Sequence, residues 1–180
     1  MTLLTLVARG LAQVMDNPAL SAVRRNHALE HATIHLLAQR RPGVNLMGRA
    51  TPDGFFIYGA VTGKEIKDAA EEARARLEGG EHWLAIHPRC GTNLVVAGTL
   101  SGLGALLALS GRGSRWQKLP RVLLATTAAV FAAQPVGLVA QERITTSPYM
   151  DSATIGDVQS HFSRGVRVHR VSVVPGNAET

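Results

Sequence analysis

Two apolar stretches in the middle of the chain limit its fold more than any other feature. Residues 94–110 carry no charge. Residues 122–140 carry none either, and Gln134-Pro135 is their main interruption. Each is close to the minimum for crossing a bilayer, roughly 17 to 25 helical residues. Between them Arg112, Arg115, Lys118 and Arg121 crowd one loop without an acid. This pattern predicts a helical hairpin, transmembrane or deeply inserted, with Gly98 and Gly102 spaced for close helix contact. The competing form is a glycine-rich hairpin buried in a soluble protein, and a mean hydropathy of only +0.08 keeps it open. The positive-inside rule would put the basic loop in the cytoplasm, but the region before the hairpin is also basic, so orientation stays open.

The rest of the chain is of ordinary globular size. At 180 residues it suits one domain, or a small domain with an appendage. The formal net charge is +6 and the isoelectric point near 10.4. Such a chain meets nucleic acid or an anionic membrane. There is no aromatic-interleaved basic patch and no nucleic-acid motif, so the expected partner is the lipid bilayer and no nucleic acid is expected. Cys90 is the one cysteine, which excludes an intramolecular disulfide framework. Residues 1–15 have a helical apolar stripe interrupted by Arg9 and no clear cleavage site. They read as an amphipathic helix on a membrane or on the fold, not as a signal peptide.

Punctuation then divides the chain. Asp16-Asn17-Pro18 starts a helix and Arg41-Pro42-Gly43 stops it. Residues 44–47 and 55–58 read as strands around the turn Thr51-Pro52-Asp53-Gly54. Thr62-Gly63-Lys64-Glu65 is a capping box, opening a charged helix that ends at Gly79-Gly80. Residues 81–86 read as a short strand, 154–162 as a short helix and 166–174 as a final strand, before a frayed tail at 176–180. The fold class expected is α+β: a histidine-bearing helix and a small mixed portion with short strands, joined to a two-helix apolar hairpin. Its expected parts are residues 1–93, the hairpin at 94–141, and a returning segment at 142–180.

The chemistry concentrates in two places. In Asn26-His27-Ala28-Leu29-Glu30-His31, two histidines lie four apart with a glutamate before the second. On a helix, His27, Glu30 and His31 share one face. Two imidazoles one turn apart can chelate a divalent ion such as Zn²⁺, and the adjacent carboxylate can take a proton from water that the ion activates. The order His-x-x-Glu-His is the inverse of the commoner zinc-peptidase motif. His35 continues the stripe, but eight helical residues rise about 12 Å, too far for His27 and His35 to share an ion. A supporting or packing role is expected for it. A third ligand must come from elsewhere. The second place, His87-Pro88-Arg89-Cys90-Gly91-Thr92-Asn93, offers two more transition-metal ligands in a constrained turn. Thr92 or Asn93 could cap the helix that follows. Either cluster, taken alone, also reads as ordinary structure: polar-face histidines, a buried cysteine, a turn histidine.

Three blocks together resemble the YqhQ-like family of bacterial membrane proteins. Its first signature, H-G-A-E-H-K-T-I, is similar to the run His27-Ala28-Leu29-Glu30-His31-Ala32-Thr33-Ile34, with Ala32 in place of the lysine. Its second, H-P-R-C-G-T, stands unchanged at His87 to Thr92. Its third looks like Pro135, Gly137, Gln141, Thr145 and Thr146, followed by only Asp151 of the usual acidic run. The resemblance implies a metal-dependent enzyme of the bacterial cytoplasmic membrane. It adds Arg89, Thr92, Thr145 and Thr146, with His35, as residues around the site.

Three functions compete at this level. The leading one is a membrane-associated metal-dependent hydrolase acting on a peptide or membrane protein. There His27 and His31 bind the ion, His87 or Cys90 completes the protein ligands, and Glu30 is the general base. A second is a nucleophilic Cys90 paired with a histidine. A third is a non-catalytic membrane scaffold or adaptor clamped by a structural metal site. Substrate and oligomeric state have no signal in the sequence.

Overall fold

The structure is a computed structural model that describes residues 17–110 and 113–176. The stretch expected to form the N-terminal amphipathic helix, Arg112 of the basic loop, and the tail from 177 lie outside the described residues. The fold is α+β. It divides into two compact units, one taking the described residues to Ile86 and again from Thr146, the other His87–Thr145.

The first unit is built on helix α1, Pro18–Arg40. The Asn17 side chain accepts from the amides of Ala19 and Leu20 at 3.0 and 3.3 Å, and Pro18 has no amide to satisfy. Strands β1 (Met47–Thr51) and β2 (Gly54–Tyr58) form the expected hairpin, though β1 begins where the expected strand ended. Helix α2, Gly63–Glu78, starts at the expected capping box and closes at Gly79. One face of α1, one face of α2 and the inner face of the sheet supply a single core. Leu29, Leu37, Phe55, Ile57, Ile66, Leu77, Leu84 and Val171 are all but fully buried in it. Each such side chain contributes about 1.5–3 kcal/mol of transfer free energy.

Two expectations are corrected here. Residues 81–86 form a short 3-10 helix, His82–Ala85, and not a strand. The Glu81 carboxylate receives two bonds from Arg76, at 2.8 and 2.5 Å, which ties the segment back onto α2. Consecutive residues Leu84 and Ala85 are buried, where a strand would bury alternate ones. Residues 154–162 are not a helix but nearly the whole of strand β3, Thr154–Ser163, paired antiparallel with β4, Val166–Val174. The register shifts between Ile155 and Val158, and both still pack on the core. That irregularity brings two inward residues to a spacing of three, which imitates a helical period. Arg164 and Gly165, both at positive φ (49° and 80°), make the two-residue turn between the strands. The sheet order is β1-β2-β4-β3, antiparallel throughout.

The second unit is the apolar hairpin of α3 (Gly91–Leu109) and α4 (Arg115–Ala140), the latter running on into a π-turn at Gln141–Thr145. Pro120 and Pro135 lie within α4 without ending it. Both helices are long and apolar enough to cross a membrane. Their apolar side chains face outward: Leu94, Leu107 and Phe131 are 78%, 75% and 77% exposed. The close approach falls elsewhere than expected. Gly98 and Gly102 face open space, whereas a side chain at Gly104 would meet the Ala125 carbonyl at 3.3 Å. From the first turn of α4, Lys118 Nζ donates to the carbonyl of Leu109 at 2.9 Å, placing a cation at the negative end of α3.

Candidate metal centre

His27, Glu30 and His31 do meet on one face of α1. Glu30 Oε2 lies 3.9 Å from Nε2 of His27 and 3.9 Å from Nε2 of His31. The two imidazoles stand edge to face, with centroids 4.3 Å apart. Their ligand atoms are within 4.8 Å of each other. The carboxylate is 4% exposed. Burying an ionised carboxylate demands compensating positive charge or strong hydrogen bonds, and here two imidazoles flank it.

The protein backbone sets the ring orientations. His31 Nδ1 is 2.7 Å from the carbonyl of Ala85. A carbonyl only accepts, so Nδ1 carries the hydrogen and the lone pair of neutral His31 is on Nε2, the nitrogen beside Glu30. His35 Nε2 is 2.9 Å from the carbonyl of Ile86, and its ring meets Trp83 edge to face at 5.8 Å. His35 thus braces the same 3-10 segment one turn further along α1. The segment expected as a strand therefore supplies the acceptors that orient two histidines, a long-range pairing that local periodicity does not encode.

Strand β1 completes the surroundings of Glu30. Gly48 stands on the inner face, opposite Ile57. A Cβ added there would collide with the Glu30 side chain. Asn26, next to His27 and fully buried, donates to the carbonyls of Thr51 and Pro52 at 2.8 and 3.1 Å, which fixes α1 against the end of β1. On the other side of the helix start, Arg24 donates to the carbonyl of Thr146 at 3.3 Å, and the Ser147 amide donates to that of Arg24 at 3.0 Å. Gly48 and Asn26 had no sequence signal of their own.

His87, Arg89, Cys90, Thr92 and Thr145 belong to the hairpin unit. Cys90, not Thr92 or Asn93, is the N-cap of α3, with Sγ accepting from the Thr92 amide at 3.4 Å. Asn93 is thereby freed for another task. Its Nδ2 donates to the carbonyl of Pro88 at 2.8 Å, while its Oδ1 accepts from Gln141 Nε2 at 2.8 Å. Gln141 Oε1 in turn accepts from the His87 amide at 2.9 Å. Both amides are buried, and Gly137 leaves the room that Asn93 occupies. Thr92 and Thr145 hydroxyls lie 3.3 Å apart and close the same end of the hairpin. His87 Nδ1 accepts from the Arg89 amide at 3.2 Å. In neutral His87 that puts the hydrogen on Nε2, the reverse of the tautomer in His31.

The chain carries a histidine helix packed on a small antiparallel sheet, with an apolar hairpin inserted between the second and third strands. Residues 22–158 match the family described as Domain of unknown function (DUF6391), and the chain belongs to it. An uncharacterized protein of Picosynechococcus sp. is 37% identical over 141 residues, 69% of this chain and 66% of that protein. The chain thus spans just under two thirds of that relative's length. No solved structure matches the chain.

Proposed function

We propose that the protein is a metal-dependent hydrolase of the peptidase type, held in the bacterial cytoplasmic membrane by its apolar hairpin. The observation that carries this reading is the Glu30 carboxylate oxygen at 3.9 Å from Nε2 of both His27 and His31. Two imidazoles, His27 and His31, with the Cys90 thiolate as the third donor, would be ligand types suited to Zn²⁺ or another divalent transition metal. The motif resemblance to the YqhQ-like family supports the same assignment. Such a metal supplies Lewis acidity, polarising a substrate carbonyl and acidifying water.

The chain's own groups do the rest. His27 and His31 bind through Nε2, and the Ala85 carbonyl holds the His31 ring in place. Glu30 takes a proton from the attacking water and passes it to the leaving amine. Cys90 is preferred to His87 as the third ligand. Neutral His87 has its Nδ1 lone pair engaged by the Arg89 amide and a hydrogen on Nε2, whereas the Cys90 thiol needs only to lose a proton. Chain continuity supports a ligand from this turn. Ala85 and Ile86 are bonded to His31 and His35, and the next residue is His87.

Elemental analysis of purified variants tests the reading. About one ion per chain is expected in the wild type, none in His27→Ala, His31→Ala or Cys90→Ser, and full occupancy in His87→Ala. Glu30→Gln keeps the metal and loses about 10²–10⁴ in rate, the usual contribution of a general base. A metal-free wild type, or metal retained in both histidine variants, ends the proposal. Metal retained in Glu30→Gln with function intact would instead make the site structural, in a scaffold or adaptor.

A further inference from the structure

A groove of about 510 Å³ opens on the first unit, and neither Glu30 nor the histidines of α1 line it. It is lined by Arg41, the loop 59–62, Phe162 and the turn 165–167. We infer that this groove binds a phosphate group, clamped between the guanidinium groups of Arg41 and Arg167.

Both guanidiniums are anchored by neighbouring carbonyls of one loop. Arg41 Nη1 donates to Ala60 at 2.9 Å and Arg167 Nη1 to Val61 at 3.1 Å. Each guanidinium has five N–H donors, so most of their capacity remains for a ligand. Arg167 is further held over the ring of Phe162, 5.1 Å from its centroid, with that ring 70% exposed at the rim. The charges do not balance. Arg41 has a carboxylate 3.5 Å away, Glu65, but that carboxylate accepts at 2.8 Å from both the amide and the hydroxyl of Thr62. Arg167 makes no ion pair among the described residues. Two fixed cations around a concavity, against one acid committed to a helix cap, favour an anionic occupant. Two planar forks facing one space suit phosphate, which offers more acceptor oxygens than a carboxylate.

A second hollow of about 270 Å³ shares Thr62, Phe162 and Arg167 with the groove and is also lined by Ser160, His161 and His169. His169, one of its lining residues, is fully buried, with Nδ1 2.7 Å from Ser160 Oγ. Burial, then the charge of Arg167, holds its pKa below the ordinary histidine value. A bound anion would offset the Arg167 charge, so His169 reports occupancy. The phosphate can come from a soluble phosphate compound or from a phospholipid headgroup.

The test uses the full chain in maltoside micelles, titrated with inorganic phosphate against potassium chloride at matched ionic strength. The His169 ring resonances are followed by NMR. A saturable shift is expected in phosphate, with the His169 titration midpoint moving up. Arg167→Gln should weaken binding at least tenfold and Arg41→Gln measurably. Arg49→Gln, on β1 and exposed, should respond as wild type. Transfer to nanodiscs separates the sources: a response to phosphatidylglycerol but not to phosphatidylcholine or free phosphate assigns the headgroup. If Arg167→Gln is too unstable to titrate, Arg41→Gln decides. No saturable response to phosphate or phosphatidylglycerol overturns the inference. So does unchanged binding in the arginine variants, or acetate binding as tightly as phosphate.

Discussion

Gly48 shows how far a single residue governs the geometry around Glu30. It lies on the inner face of β1, and any side chain there would enter the space of the Glu30 carboxylate. Gly48→Ala is therefore expected to push that carboxylate off the two imidazoles. The cost is that of overpacking a filled site, about 1–3 kcal/mol, and it is read as a lowered Tm. A variant with wild-type Tm would show that the site has slack. His169 sets a second single-residue expectation, on pH. Its pKa is lowered by burial first, then by Arg167 and His161, while carbonyls of Val61 and Gly59 pull the other way. A histidine depressed in the folded state binds fewer protons there than in the unfolded chain, so the stability it contributes is present above the ordinary value of 6.5 and is lost as pH falls below it. Melting curves from pH 7.5 down to 5 should show this loss, and His169→Gln should flatten it. Equal slopes in the two proteins would assign the acid sensitivity to other groups.

At the scale of elements, the end of the hairpin is held by polar groups. The chain Pro88 carbonyl, Asn93, Gln141, His87 amide links the turn before α3 to the π-turn after α4. Replacing Gln141 by Leu keeps the volume but strands the His87 amide and the Asn93 carbonyl oxygen. Each buried polar group left unmet costs about 1–3 kcal/mol. Gln141→Leu should lower Tm. Gln141→Leu combined with Asn93→Ala should cost less than the sum of the two, because they share one network. Additive losses would mean that the two amides act separately. The other element-scale lesson is β3. Its β-branched and apolar residues, Ile155 and Val158, are spaced three apart, and that spacing alone is what a helix would show. Only the pairing with β4 reveals the irregularity that makes the spacing compatible with a strand.

At the scale of the whole molecule, Leu94, Leu107, Leu124 and Phe131 of the hairpin are displayed outward. Apolar surface on this scale is unfavourable in water and favourable in lipid. The protein should stay with membranes through alkaline carbonate washing and come out with detergent. Release into the soluble fraction would instead assign the hairpin to contact with protein. Much of this was legible without coordinates. Charge-free runs of helical length around a basic loop announce a hairpin because bilayer thickness and backbone hydrogen bonding leave few alternatives. The approach of His27, Glu30 and His31 was equally legible, because helical geometry fixes which residues share a face within one turn. What only the tertiary structure decided depends on pairs distant in the chain. These are the Ala85 carbonyl that sets the His31 tautomer, the Gly48 that admits Glu30, and the Gln141 that braces His87. Local periodicity carries no term for such contacts. They arise when separate elements close on a common core, and the side chains that meet there then select each other's orientation and protonation.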